Sequence, residues 1–158
     1  MDRATAIVLI LTISLLALPF VLDYISRRRK RTHLINLLRQ AARSHQGQLQ
    51  RHEVAGRVAM GLDHEKKMLY FVNQQEQADT VLRVPLADAR LCILLVNDRS
   101  VKGELTDART ERVELSFAPK APGASEHRLL LYRETLGSFP NGEPQLAAKW
   151  AALLNAMI

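Results

Sequence analysis

After Gly47 the apolar side chains stop recurring every three or four positions and begin to alternate, and they do so in seven short runs before a helical spacing returns near the C-terminus. A period of two lines one face of a pleated strand, so the body has to be built from sheets. The runs are 49–55, which is weak; 57–63, with Val58, Met60 and Leu62 on one face; 67–73; 80–86, with Leu82, Val84 and Leu86 alternating against Val81 and Arg83; 89–97; 111–117, with Val113, Leu115 and Phe117 set against Arg112, Glu114 and Ser116; and 127–134. Residues 63–66 form a tight turn that makes the second and third runs a hairpin. Pro85 cannot donate to a ladder, so the fourth strand should lie at an edge or end there. The run 89–97, "ARLCILLVN", is apolar almost throughout and is expected to be covered on both faces. A polar loop from Asp98 to Thr110, containing Gly103, and the proline and glycine loop "APKAPGASE" separate the last three strands.

In the tail "QLAAKWAALLNAMI", Leu146, Trp150, Leu153, Leu154 and Met157 fall on one helical stripe, and Pro144 suits the first turn of that helix. Seven strands and one closing helix predict a mainly β, α+β body over 48–158, in which the helix plugs an open end of a small barrel. On its strand count, the hairpin "GLDHEKKMLYFV", the segment "RVPLADARLCILLV" and the Trp150-centred helix "LAAKWAALLNAMI", the stretch Gln48 to Ile158 resembles the pleckstrin-homology-like (PH-like) superfamily. The resemblance implies a seven-stranded barrel capped by its C-terminal helix, with Trp150, Leu153 and Leu154 in the barrel mouth. It also implies a binding or scaffolding module rather than an enzyme. Phosphoinositide-binding members of that superfamily carry a basic cluster around the first strand pair. Here Asp63 and Glu65 interleave with Lys66 and Lys67, which reads as solvated turn charge.

Ahead of the body, Ala4 to Leu22 is nineteen residues without a charge, followed after Asp23, Tyr24, Ile25 and Ser26 by Arg27, Arg28, Arg29, Lys30 and Arg31. At about 1.5 Å per residue such a run spans roughly 28 Å, near the thickness of a bilayer core. The basic block behind it marks a flank retained in the cytoplasm. The expectation is therefore a single-pass transmembrane anchor over 1–26 in the inner or plasma membrane, N-terminus outside and body inside. Arg27 to Arg31 then fix topology at the membrane surface. Of the net charge of +6, five charges sit in this block, and from Val54 onward basic and acidic side chains cancel. That balance, and the lack of a basic face with stacking aromatics, argues against nucleic acid as a partner.

Between the block and the strands, within a segment 27–47, Leu34, Leu37, Leu38, Ala41 and Ala42 recur at helical spacing over 32–45, and Gly47 is placed to end the helix. That stripe is free to pack on its own domain, lie on a membrane, or meet a partner helix.

No catalytic signature is present. Five histidines, at 33, 45, 52, 64 and 127, show no metal-ligand spacing, and the one cysteine, Cys92, sits inside an apolar strand. Asp79 and Asp88 read as ordinary loop carboxylates. No cofactor, metal or small-molecule substrate is expected. Three readings remain: an interaction module that binds a protein partner through an exposed strand edge or the groove beside the closing helix; an anionic-lipid-sensing module using the basic block; and an enzyme with an unfamiliar site.

Overall fold

A computed structural model describes residues 3–75, 79–99, 109–135 and 138–158, with side chains described at all of these but 3–6, 8–11, 98, 99 and 109. The element order is α1 (Arg3–Ser44), β1 (Arg51–Ala55), β2 (Val58–Asp63), β3 (Met68–Asn73), β4 (Val81–Pro85), a 3-10 turn at Leu86–Asp88, β5 (Ala89–Arg99), β6 (Arg109–Pro119), β7 (His127–Arg133) and α2 (Glu143–Asn155). The expected loop between the fifth and sixth runs is shorter than 98–110, since β5 reaches Arg99 and β6 begins at Arg109. Gly103 and its neighbours 100–108 lie outside the described residues. Two compact units divide the chain, Met1–His33 and Leu34–Ile158.

The first unit is helical from Arg3 onward, and it corrects the expected anchor. The uncharged run is no separate element. It is the front of one 42-residue helix that also carries the basic block, Arg39 and Arg43. Among the described residues no helix is long and apolar enough to cross a membrane. The transmembrane, single-pass and inner-membrane expectations therefore fall, and with them the orientation built on the crossing. Nothing between Leu22 and Thr32 breaks a helix, as neither glycine nor proline occurs there, so α1 runs on through the charged stretch.

In the second unit the strands form two antiparallel sheets, β1-β2-β3-β4 and β5-β6-β7, and neither closes. This corrects the expected seven-stranded barrel. Closure would need β4 to pair with β5. Pro85 ends β4 without an N–H to donate, and the 3-10 turn then carries the chain away from that ladder. As expected, β4 is an edge and ends at its proline.

Each sheet presents one apolar face to a shared core. Val58, Met60, Leu62, Leu69, Phe71 and Val84 from the first sheet meet Cys92, Val113, Leu115, Phe117, Leu129 and Leu131 from the second. Helix α2 seals this core with Leu146, Ala147, Trp150, Ala151 and Leu154, while Leu153 and Met157 are partly buried against it. Fully burying a large apolar side chain is worth about 1.5–3 kcal/mol, so Trp150 and Leu154 alone hold the helix down firmly. Trp150 also donates its Nε1–H to Glu53 on β1 (3.2 Å), and Lys149 Nζ donates to the other oxygen of the same carboxylate (2.8 Å).

The outer face of the first sheet is covered as well. Leu34, Leu38 and Ala42, one helical turn apart, pack on Ala59, Tyr70 and Val72. The α1 stripe therefore serves its own domain. Gly61, which pairs with Tyr70 on this face, lets the helix come close: a Cβ there would stand 3.0 Å and 3.2 Å from the Leu49 methyls and 3.4 Å from a Leu38 methyl. Helix α1 ends in a Schellman motif, with Gly47 N–H bonded to Ala42 O and Gln46 N–H to Arg43 O. Gln46 takes the left-handed position (φ 55°) and Gly47 follows it. A second fastening is the buried Asp63, whose two oxygens accept Gln48 N–H (2.9 Å) and Lys66 N–H (3.0 Å).

Candidate functional site

Two open sheets leave four edge strands, and an edge is a row of unpaired backbone groups that a second chain can join. Three of the four are short or engaged. β1 is five residues long and lies beside α2 through Glu53. β4 is also short and ends at Pro85, while its Arg83 contacts His45. β7 turns two carbonyls to side chains at the end of β3: Asn73 Nδ2 donates to Leu130 O (2.6 Å), and Gln75 Nε2 to Arg133 O (3.2 Å).

β5 differs. It has eleven residues, and from Leu91 to Asn97 its register with β6 is unbroken, the irregularities lying at 89/91 and 97/98. Neighbouring residues of a strand send their N–H and C=O to opposite sides, so the groups of Cys92, Leu94 and Val96 share one side. That side faces away from β6, because the Cys92 backbone is bonded to α2: its N–H donates to Asn155 Oδ1 and its C=O accepts from Asn155 Nδ2, both at 2.8 Å. The carboxamide acts as the peptide group of a missing strand. Beyond it, among the described residues, no element pairs with the outward groups of Leu94 and Val96.

The side chains on this strand overturn the expectation of burial on both faces. Cys92 is buried and Leu94 half-buried, but Leu91, Ile93, Leu95 and Val96 are 40–47% exposed. An unbroken apolar run points to a strand covered on both faces, while the fold puts it at an edge. The opposite correction applies to the outward residues of β6, because Glu114 and Ser116 are buried. Glu114 is held by Arg112 (Nε to Oε1, 2.7 Å), and Ser116 donates to Glu126, which also binds Arg128 (2.8 Å and 3.0 Å). The result is an apolar stripe on β5 beside a satisfied polar patch on β6 and β7.

Cys92 itself offers no chemistry. Burial pushes its thiol up to about 12, so it carries almost no thiolate near neutrality. Among the described residues no group of His, Cys, Asp or Glu could hold a metal ion. Arg27 to Arg31 are exposed on α1 in the first unit, with Arg27 Nε paired to Asp23 one turn earlier (2.9 Å). Lys66 is more than a solvated turn charge, since its ammonium donates to His45 O at the end of α1. The one sequence signal that could have found the β5 site is Asn155, a carboxamide at the end of an otherwise apolar helical tail.

No family model matches this chain, and no curated protein or solved structure matches it either.

Proposed function

We propose that the unit Leu34–Ile158 is a binding module that takes an extended segment of a protein partner as an added strand on the outward edge of β5. The observation that carries this reading is the Asn155 carboxamide on Cys92: the edge already accepts a peptide-like group in register, and among the described residues the same ladder continues unpaired at Leu94 and Val96. In strand addition the backbone bonds supply affinity and alternate side chains supply specificity. Leu91, Ile93 and Leu95 form a ready surface for apolar side chains at every second position of the added segment. The resemblance to the PH-like superfamily belongs to the same proposal. A split of four strands and three, followed by one helix that buries a tryptophan, supports it in strand count and order.

The test uses a displayed library of extended peptides selected against the full chain, followed by Val96→Pro. That substitution removes one outward N–H while leaving the β6 ladder intact. Selected peptides should lose binding to Val96→Pro and to Leu95→Lys while thermal melting stays close to that of the parent. Peptides that bind both variants as well as they bind the parent would refute the reading.

A further inference from the structure

A concave surface lies between the last two turns of α1 and β1. It is a cleft of about 480 Å³ lined by Arg39, Arg43, Gln46, Gln48 and His52, with Ala42, Gly47 and Leu49 completing its wall. Arg39 and Arg43 stand one turn apart, so their side chains leave the helix on the same face. His52 pairs with Gly61 and therefore projects to the sheet face on which α1 lies. Every ionisable side chain lining the cleft is basic.

Two described acids close to it in the chain, Asp63 and Glu53, are committed elsewhere. Asp63 lies behind Gly47, buried, with both oxygens spent on the backbone N–H groups of Gln48 and Lys66. Glu53, next to His52 in sequence, points to the opposite face of β1 and is held by Lys149 and Trp150. No ion pair is formed by Arg39 or Arg43 among the described residues. The cleft thus combines two free guanidinium forks, an imidazole and two carboxamides in one concavity. Guanidinium geometry matches the paired oxygens of a phosphate, and hydrogen bonds between charged partners are the stronger kind.

We propose that this cleft binds a phosphate-bearing anion, with Arg39 and Arg43 clamping its oxygens and His52, Gln46 and Gln48 donating around them. The shared chemistry is a phosphomonoester or pyrophosphate group, whether free or carried on a lipid headgroup. The site is distinct from the β5 edge and from the basic block at Arg27 to Arg31.

The experiment titrates the full chain calorimetrically with inorganic pyrophosphate at low salt, where exposed charges are least screened. In parallel, co-sedimentation compares vesicles containing phosphatidic acid with vesicles of phosphatidylcholine alone. Three proteins are compared: the parent, Arg39→Gln with Arg43→Gln, and a form with Arg27 to Arg31 all changed to Gln. Both replaced arginines are exposed, so the double variant should melt like the parent. Pyrophosphate should bind the parent at about 1 mM or tighter, weaken at least about tenfold in the double variant, and stay within about twofold when only the basic block is neutralised. Sedimentation lost in the same double variant would identify the lipid headgroup as a source, while pyrophosphate binding alone would identify the free anion. Binding equal in parent and double variant, binding lost only with the basic block, or no binding of either probe overturns the proposal.

Discussion

Leu38→Ala tests whether the end of α1 is part of the β-rich domain or merely lies against it. Leu38 is 0% exposed and sits in the cluster formed with Leu34, Ala42, Ala59, Tyr70 and Val72. Truncation removes three carbons, which at about 0.8 kcal/mol for each buried methylene is roughly 2.4 kcal/mol of transfer energy. Gly61 has no side chain to swing into the void, so a cavity contribution adds to this, and the total should reach about 3–4 kcal/mol. For a domain of this size that lowers the melting temperature by roughly 10–15 °C. Trp150 is the reporter, because it is the single tryptophan and lies in the other core cluster, beyond the first sheet from Leu38. Urea unfolding followed by its fluorescence should show one transition moved to lower urea with an unchanged slope. Leu15→Ala, at a position 73% exposed, is the control and should shift it by less than about 0.5 kcal/mol. If Leu38→Ala left the Trp150 transition in place, the helix end would be unfolding on its own and the two-layer account would be wrong.

Gln46→Gly should stabilise by about 0.5–1 kcal/mol in thermal melts, since glycine takes the left-handed angle of 55° without the steric cost that glutamine bears. Gly56→Ala should cost at least about 2 kcal/mol by urea titration, because φ is +54° and a Cβ would stand 1.8 Å from a Glu143 oxygen. The Lys149 hydrogen bond holds the Glu53 carboxyl below its ordinary value of 4.5, so its stabilisation is present above that value and is lost as the pH falls through the depressed one. Glu53→Gln should therefore flatten the acid limb of stability against pH, by less than about 1 kcal/mol for so exposed a pair. Asn155→Ala uncovers both backbone groups of Cys92; it should cost about 1–3 kcal/mol and make sedimentation concentration-dependent, as a longer free edge invites self-pairing.

The strands were legible wherever one face is apolar and the other polar. Val113, Leu115 and Phe117 all enter the core, and the polar residues between them, Glu114 and Ser116, turn to the opposite face, where they are buried with polar partners. Less legible was the second layer, because burial of both faces of β2 rests on Ala59 and Gly61, residues too small to announce a covering helix. The anchor was misjudged for a related reason. Composition shows that a run lacks charge, but the element containing it extends to Ser44 and carries eight basic residues between Arg27 and Arg43, counting His33. Barrel closure depended on whether the consecutive strands β4 and β5 pair, for which period carries no information; only Pro85 hinted that this seam would stay open. The β5 edge was hidden by its own hydrophobicity. A run apolar at every position looks the same whether both faces are covered or one of them awaits a ligand.

The edge strands themselves argue for selection at β5. Natural sheets blunt an edge by making it short, by placing proline or charge on it, or by covering it. In this fold β1 and β4 are short, β4 has Pro85 and Arg83, and β7 is met by the Asn73 and Gln75 side chains. β5 is long, and between Leu91 and Val96 it carries neither proline nor charge, while its bulges lie outside the span where the ladder is regular. Among the described residues its only cover is a single carboxamide at Cys92. Among the described residues three edges are guarded and the apolar one is open beyond one residue, and because such an edge is costly in aggregation this favours the proposed strand addition. Asn155 also gives the open stretch a fixed starting point: an added strand can begin pairing at Leu94 and no earlier unless α2 lets go. The length of segment that binds, measured by trimming a selected peptide from each end, therefore reports directly on whether the helix end stays in place.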